Sequence, residues 1–247
     1  MRIWIQGQSE MIWFLKKICA NHEMVFSAPE ACDLAIMNFP YSSFTEELKE
    51  AFPKGQKVIC GIIDAKTDQI SKDKKWEMYF PLKDEQYLSE NAKMTAEGAV
   101  ASVMNKIPYS LRKAKILVIG YGRIGKELTR LLRSFKADVT VAARREESRS
   151  EAGPNSIEIN RIQSFIGTYD LVLNTVPSTV ISESGLLCLK NTAFLFELAS
   201  KPYGFDMERA KSLGIHAYLE SGIPGRYCPE SAAEALFRFV ERSVQIE

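Results

Sequence analysis

Three glycines spaced as Gly120-Tyr121-Gly122-Arg123-Ile124-Gly125 are the residues in this 247-residue chain best suited to hold a charged ligand. They follow the apolar run Lys115–Ile119 (KILVI). After them come Ile124, Leu128, Leu131, Leu132 and Phe135, spaced as one stripe of a helix. A strand, a glycine turn and a helix in this order form a dinucleotide-binding fingerprint. The first glycine permits the tight turn, the second lets a pyrophosphate approach the backbone, and the third lets helix pack on strand. The helix start offers N–H groups to the phosphates. All six residues are therefore assigned to nucleotide binding.

Cofactor preference is read at the tip of the second strand, about 20 residues on, where an acid usually accepts a ribose 2′-hydroxyl. In this chain Val141-Ala-Ala is followed by Arg144 and Arg145, and no acid stands at the tip. Two guanidiniums suit a 2′-phosphate, which invites bidentate contacts, so NADP(H) is expected over NAD(H). The plain alternative is a solvated loop that also includes Glu146 and Glu147. Further on, Asn174, Thr175, Val176 and Pro177 follow a fourth strand, and Glu197-Leu-Ala199-Ser200 ends a fifth. Carboxyl ends of strands are where open α/β sheets bind ligands. Thr175 and Ser200 would meet the nicotinamide ribose or carboxamide beside Ala199, and Lys201 would hold a substrate carboxylate. Each is also an ordinary turn residue, and both readings stand.

A parallel sheet is needed to bring these residues to one edge. Six strands are expected in the second part: Lys115–Ile119, Val139–Ala142, Ile157–Ile159, Leu171–Asn174, Phe194–Leu198 and Ile215–Leu219. Helical stretches at Arg161–Ile166 and Met207–Leu213, and a last helix at Glu230–Val244, complete an α/β, doubly wound, Rossmann-type domain. The first part is expected to be a smaller α/β domain. Its strands are Arg2–Gln6, Leu34–Met37, Lys57–Ile63 and an edge strand at Trp76–Phe80; its helices are Glu10–Cys19 and Phe44–Phe52. The charged stretch from Lys66 to Lys75 reads as a solvated helix face or loop. A long helical pattern over Asp84–Lys106, with an interruption near Asn91–Thr95, is stopped by Pro108. The expected domains are 1–106, 107–228 and a C-terminal helix over 229–247 that packs on the first domain or on a second subunit.

Composition narrows the classes of function. Hydrophobic residues make up 46% and charged residues 26%, ordinary for a globular protein. With 32 basic and 31 acidic residues the charges nearly cancel, which argues against a nucleic-acid or anionic-membrane partner. No apolar run approaches the roughly 20 residues that span a bilayer, and the start reads as a strand rather than a secretory signal. Five scattered cysteines without a CxxC pair, and only two histidines, suggest reduced thiols, a cytoplasmic setting and no metal.

Taken together, six motifs resemble those of the dipicolinate synthase A subunits. They are Asn91-Ala-Lys-Met-Thr95-Ala-Glu97-Gly98, the 120–125 glycine turn, Val141-Ala-Ala-Arg144, Asn174-Thr-Val-Pro177, Leu198-Ala-Ser-Lys-Pro202 and Ser221-Gly222-Ile-Pro224-Gly225. The resemblance runs from about Asn91 to near the C-terminus. It implies an NADP-dependent oxidoreductase of endospore formation that oxidises a dihydrodipicolinate-type cyclic imine to pyridine-2,6-dicarboxylate. It also implies a flavoprotein-like second subunit, and a homo-oligomer is compatible with it. Thr95, Glu97 and Gly98 would face an interdomain cleft, with Ser200, Lys201 and the Gly222–Gly225 turn, including Pro224, opposite. Glu97, the only acid of the set, would serve as base, or the Thr95–Gly98 segment would cap or pack a helix. The chain departs from the family at Tyr203, where a glycine is expected, and after Gly225, where a Thr-Ala-Gly ending is usual. Its first domain also reads as shorter than the family's and lacks the early glycine-rich turn.

Two other classes of function remain beside this one. A D-2-hydroxy-acid dehydrogenase, or another imine reductase, would share the cofactor fold; the former uses a histidine as proton carrier, for which only His22 and His216 are available. A nucleotide-binding partner or sensor would bind NADPH without turnover.

Overall fold

The computed structural model describes residues 1–244. Among the described residues, eleven strands form two sheets, and every pairing in both is parallel. The chain divides into two compact units, Met1–Asn91 together with the segment that begins at Pro224, and Ala92–Ile223.

In the first unit, β1 (Arg2–Ile5), β2 (Val25–Phe26), β3 (Leu34–Ile36), β4 (Lys57–Ile59) and β5 (Glu77–Tyr79) lie in the order β2-β1-β3-β4-β5. This is the flavodoxin-like winding. Helices α1 (Glu10–Asn21), α2 (Glu46–Ala51) and α3 (Ala65–Asp73) begin at Ser9, Thr45 and Asp64. Each of these side chains accepts the N–H three residues on, which satisfies a donor the helix leaves unpaired. The charged stretch is thus largely helix, with Thr67 and Ser71 turned inward and Lys72 paired to Asp68 in solvent. Phe44, Phe52 and Trp76 form the aromatic centre of this unit, with ring centroids 5.6 to 6.4 Å apart. β2 is too short and too exposed to leave a signal in the sequence.

Helix α4 (Glu85–Lys106) runs without the interruption expected near Asn91–Thr95. Asn91, Thr95 and Gly98 are weak helix formers, but Ala92, Met94, Thr95, Ala96, Gly98, Ala99 and Val100 are buried. Burial on nearly all sides outweighs local propensity. The division between the two compact units falls inside this helix, between Asn91 and Ala92.

The second unit carries β6 (Lys115–Ile119), α5 (Arg123–Ser134), β7 (Asp138–Ala143), α6 (Glu146–Ala152), β8 (Ser156–Glu158), α7 (Ile162–Phe165), β9 (Leu171–Asn174), α8 (Glu183–Cys188), β10 (Phe194–Glu197), α9 (Met207–Ser212) and β11 (His216–Leu219). The order β11-β10-β9-β6-β7-β8 is the Rossmann winding, with its switch point between β6 and β9. β9 and β10 are buried along their whole length, and β6 except at Lys115, as strands covered on both faces must be. On α5 the buried stripe is Gly125, Leu128, Thr129 and Leu132. Phe135 lies outside it, exposed at the end of the helix. The short helices α6 and α8 add to the elements expected.

Gly222 turns the chain with φ of +60°, and α10 (Ile223–Tyr227) starts at once. The segment read as a Gly222–Gly225 turn is therefore a helix start, in which Pro224 loses no hydrogen bond. The last helix, α11 (Pro229–Val244), lies against α1 in the first unit. Arg238 pairs with Glu90 at 2.6 Å and Arg242 with Asp84 at 3.0 Å, which ties α11 to the start of α4.

Candidate functional site

The carboxyl edge of the second sheet gathers most of the residues singled out in the sequence. Gly120 leaves β6 in the left-handed region, with φ of +98°. A Cβ there would collide with Thr175 Oγ1 and come within 2.8 Å of Val176 Cγ2. A Cβ at Gly125 would strike the carbonyl oxygen of Gly120. These two positions admit only glycine, for the turn and for helix-on-strand packing respectively. Gly122 differs: it caps α5, no side chain closes the helix start, and nothing lies within 4 Å of where its Cβ would be. That open backbone at a helix N-terminus fits a pyrophosphate. Arg123 is exposed and Ile124 half-buried on the first turn. Tyr121 packs on Val141, Ala143 and Ala152, with Lys126 Nζ 5.6 Å from its ring and 2.7 Å from Glu151.

Arg144 and Arg145 are exposed directly beyond β7. Neither has an ion-pair partner among the described residues, and Glu146 and Glu147 begin α6 instead of pairing with them. A third arginine, which carries no motif signal in the sequence, shapes this tip. Arg149 of α6 donates from Nη1 to the carbonyl oxygens of Ala143 at 3.1 Å and Arg144 at 2.6 Å.

Thr175 closes the switch point, donating both its hydroxyl (2.8 Å) and its N–H (2.9 Å) to the Ile119 carbonyl of β6. Val176 is half-buried and Pro177 exposed beside it. Asn174, expected among the cofactor contacts, turns inward and is fully buried. Its Nδ2 donates to both carboxylate oxygens of Glu197, at 2.8 and 3.0 Å. Glu197 also accepts the N–H of Ala199 at 2.9 Å and of Gly204 at 2.7 Å. Burial pushes its carboxyl above the ordinary value, and the hydrogen bonds from Gly204, Ala199 and Asn174 pull it back part of the way. Ala199 is half-buried, while Ser200 and Lys201 stand exposed at the tip of the loop, with Lys201 Nζ 5.8 Å from the Tyr203 ring.

The other expected residues lie on α4 and just beyond β11. Thr95 and Gly98 lie on the buried side of α4, whereas Glu97 is exposed in the middle of the helix, where it neither caps nor packs it. Gly222 is exposed beyond β11, and Pro224 is counted with the first unit. A buried polar cluster also joins α4 to the end of β11. Ser102 donates to Glu220 at 2.6 Å, and Lys106 Nζ lies 2.7 Å from Ser102 Oγ and 2.9 Å from the Glu220 carboxylate. A groove of about 260 Å³ lined by Met104, Tyr109, Leu111, Arg112 and Phe135 is at the amino edge of the same sheet, away from the glycine turn. Among the described residues no cluster of metal-ligating side chains occurs, and no helix is long and apolar enough to cross a membrane.

Residues 85–199 match the family model for the D-isomer specific 2-hydroxyacid dehydrogenase, NAD binding domain. The matched stretch takes in the glycine turn and the carboxyl ends of β6, β7, β9 and β10. The A subunit of dipicolinate synthase from Bacillus subtilis (strain 168) is 25% identical over 182 residues, 72% of this chain and 61% of that protein. The chain resembles the dipicolinate synthase A subunits. The aligned stretch spans about six-tenths of that relative's length. The crystal structure of the A subunit of dipicolinate synthase from Bacillus halodurans matches with a TM-score of 0.88 at 21% identity, covering 100% of this chain and 98% of that one. The crystal structure of its Bacillus subtilis counterpart gives 0.87 at 18%, covering 99% and 96%. A transhydrogenase from Sinorhizobium meliloti gives 0.75 at 14%, covering 99% and 95%. At these identities the structural matches establish the fold.

Proposed function

We propose that this chain is an NADP-dependent oxidoreductase of the dipicolinate synthase A type, oxidising a dihydrodipicolinate-type cyclic imine to pyridine-2,6-dicarboxylate. The observation that carries the reading is the carboxyl edge of the second sheet. The glycine turn, the open start of α5 and the unpaired Arg144 and Arg145 all fall on that edge. The resemblance to the synthase supplies the reaction.

In this reading Gly120–Gly125 hold the pyrophosphate and Arg144 and Arg145 the 2′-phosphate. Thr175–Pro177 and Ala199–Ser200 meet the nicotinamide half, and Lys201 takes a substrate carboxylate. Gly222, exposed beyond β11, is assigned to the substrate side, whereas Thr95 and Gly98, on the buried side of α4, are left to packing. When bound, the nicotinamide supplies the hydride acceptor. The dihydropyridine ring gives up a hydride and a proton, and aromatisation favours the step. The chain's own task is to orient the ring and its two carboxylates. Glu97 is the proposed proton acceptor. Glu97→Gln is expected to lower turnover with little effect on NADPH binding, and unchanged turnover at saturating substrate would remove Glu97 from that role.

The hydroxy-acid dehydrogenase alternative needs a histidine near the hydride. His216 is the first residue of β11, at the amino edge of the sheet, stacked 4.7 Å from Phe194. His22 caps α1 in the first unit against Phe237. Neither position supports that chemistry. The synthase reading further implies a cytoplasmic setting in endospore formation, and with it a second, flavoprotein-like subunit.

The test is a fluorescence titration with NADPH and NADH, followed by an assay for reduced nicotinamide with freshly generated dihydrodipicolinate precursor and NADP. Tighter NADPH binding and precursor-dependent turnover are expected. Tighter NADH binding would overturn the roles given to Arg144 and Arg145. NADPH binding without turnover, even with the second subunit supplied, would make the chain a nucleotide-binding partner rather than an enzyme.

A further inference from the structure

The buried pair at the ends of β9 and β10 has no role in the chemistry above, yet its geometry is unusually complete. Asn174 and Glu197 are each 0% exposed. Glu197 has no cation among its partners; it is met by neutral N–H donors from Asn174, Ala199 and Gly204. Asn174 also donates to the Val176 carbonyl at 2.9 Å and accepts the Val176 N–H at 3.1 Å. Gly204 is fixed from its other side as well, its carbonyl accepting the N–H groups of Val180 (2.8 Å) and Ile181 (2.9 Å). A Cβ at Gly204 would occupy the place of the Asn174 amide. One carboxylate therefore ties together two loops, Thr175–Pro177 and Ala199–Gly204, whose tips are exposed.

Stability alone does not call for this arrangement, because a buried carboxylate is costly and an apolar side chain would fill the space more cheaply. What the carboxylate adds is direction. Its two oxygens fix where two backbone N–H groups and one amide must stand. We infer that Glu197 is a positioning residue that, through Asn174, Ala199 and Gly204, sets the shape in which the two loops receive the nicotinamide half of the dinucleotide. This rests on the dinucleotide reading of the same edge.

Glu197→Gln discriminates well, since it keeps size and shape. Oε1 faces the donors of Ala199 and Asn174, and Oε2 those of Gly204 and Asn174. Whichever way the new amide turns, its NH₂ group meets donors. The experiment titrates wild type and variant with NADPH and with 2′-phospho-ADP-ribose, which lacks the nicotinamide. NADPH affinity should fall about tenfold, the scale of one or two lost hydrogen bonds to a charged group, while the fragment binds within about twofold of wild type. If Glu197→Gln does not fold, Gly204→Ala provides the same comparison by displacing the Asn174 amide. Equal losses for both ligands would overturn the inference, leaving Glu197 a purely structural residue, and so would unchanged NADPH binding in a folded variant. Wild-type protein that binds neither ligand would instead sink the dinucleotide reading on which the inference stands.

Discussion

Arg144 and Arg145 leave the end of β7 with no acid among the described residues to neutralise them, and Arg149 fixes the carbonyls from which they project. The planar fork of a guanidinium loses less freedom per hydrogen bond than an ammonium does when it meets a phosphate. Replacing both Arg144 and Arg145 by Ala should weaken NADPH binding about tenfold or more while NADH changes by less than about twofold. Parallel titrations check this, and an equal loss for both nucleotides would mean that the arginines act only by general attraction. The cysteines give an independent residue-scale prediction. Burial pushes the thiols of Cys19 and Cys60 up to about 12 and that of Cys32 up to about 11. Cys188 is exposed. In a timed reaction with a thiol reagent near pH 8, Cys188 should be modified first, and these three only on unfolding. Modification of all three in the native protein would contradict the packing of the first unit.

At the scale of elements, the β6 turn and the start of α5 depend on contact between two backbones. Gly125→Ala forces a methyl against the Gly120 carbonyl, so a loss of about 1–3 kcal/mol in stability is expected, with nucleotide binding impaired. Denaturant titration measures it, and a cost near zero would show that the helix can shift. The amino edge of the sheet is held differently. Asp170 accepts the Lys115 N–H at 2.9 Å and Lys190 Nζ at 2.6 Å, joining β9 to β6 and to the loop before β10. Partial burial opposes ionisation of Asp170, but the hydrogen bonds from Lys190 and Lys115 prevail and hold its carboxyl below the ordinary value. The stabilisation is therefore in place above about pH 4 and is lost as pH falls through the lower folded value. Asp170→Asn should cost about 1 kcal/mol at neutral pH, allowing for its partial exposure. The Tm difference from wild type should close in acid, and a difference that persists there would mean that packing, not charge, is lost.

For the whole molecule, a ligand that binds only the folded state must raise the unfolding temperature. NADPH at a hundred times its Kd should add about 3 kcal/mol, a shift of several degrees in a calorimetric scan. No shift at concentrations that saturate fluorescence would contradict binding to the native fold. All six strands of the second sheet were legible in the sequence; β6, β9 and β10, buried on both faces, read as apolar runs, whereas the edge strands β8 and β11 are only partly buried. The glycine turn was equally legible, since a tight turn and a close backbone approach leave a local trace. The continuity of α4 was not, since Asn91, Thr95 and Gly98 weaken the local signal and only burial restores the helix. Nor were the roles of Asn174 and Glu197, which looked like a ligand contact and a strand end. Their partnership joins residues 23 positions apart, and that of Ser102 with Glu220 spans 118. By itself the sequence determined periodicity, turn chemistry and the absence of an acid at the β7 tip, all set within a few residues. Only the tertiary structure decided which polar groups face a ligand and which are consumed inside the fold, because that depends on groups brought together from distant strands.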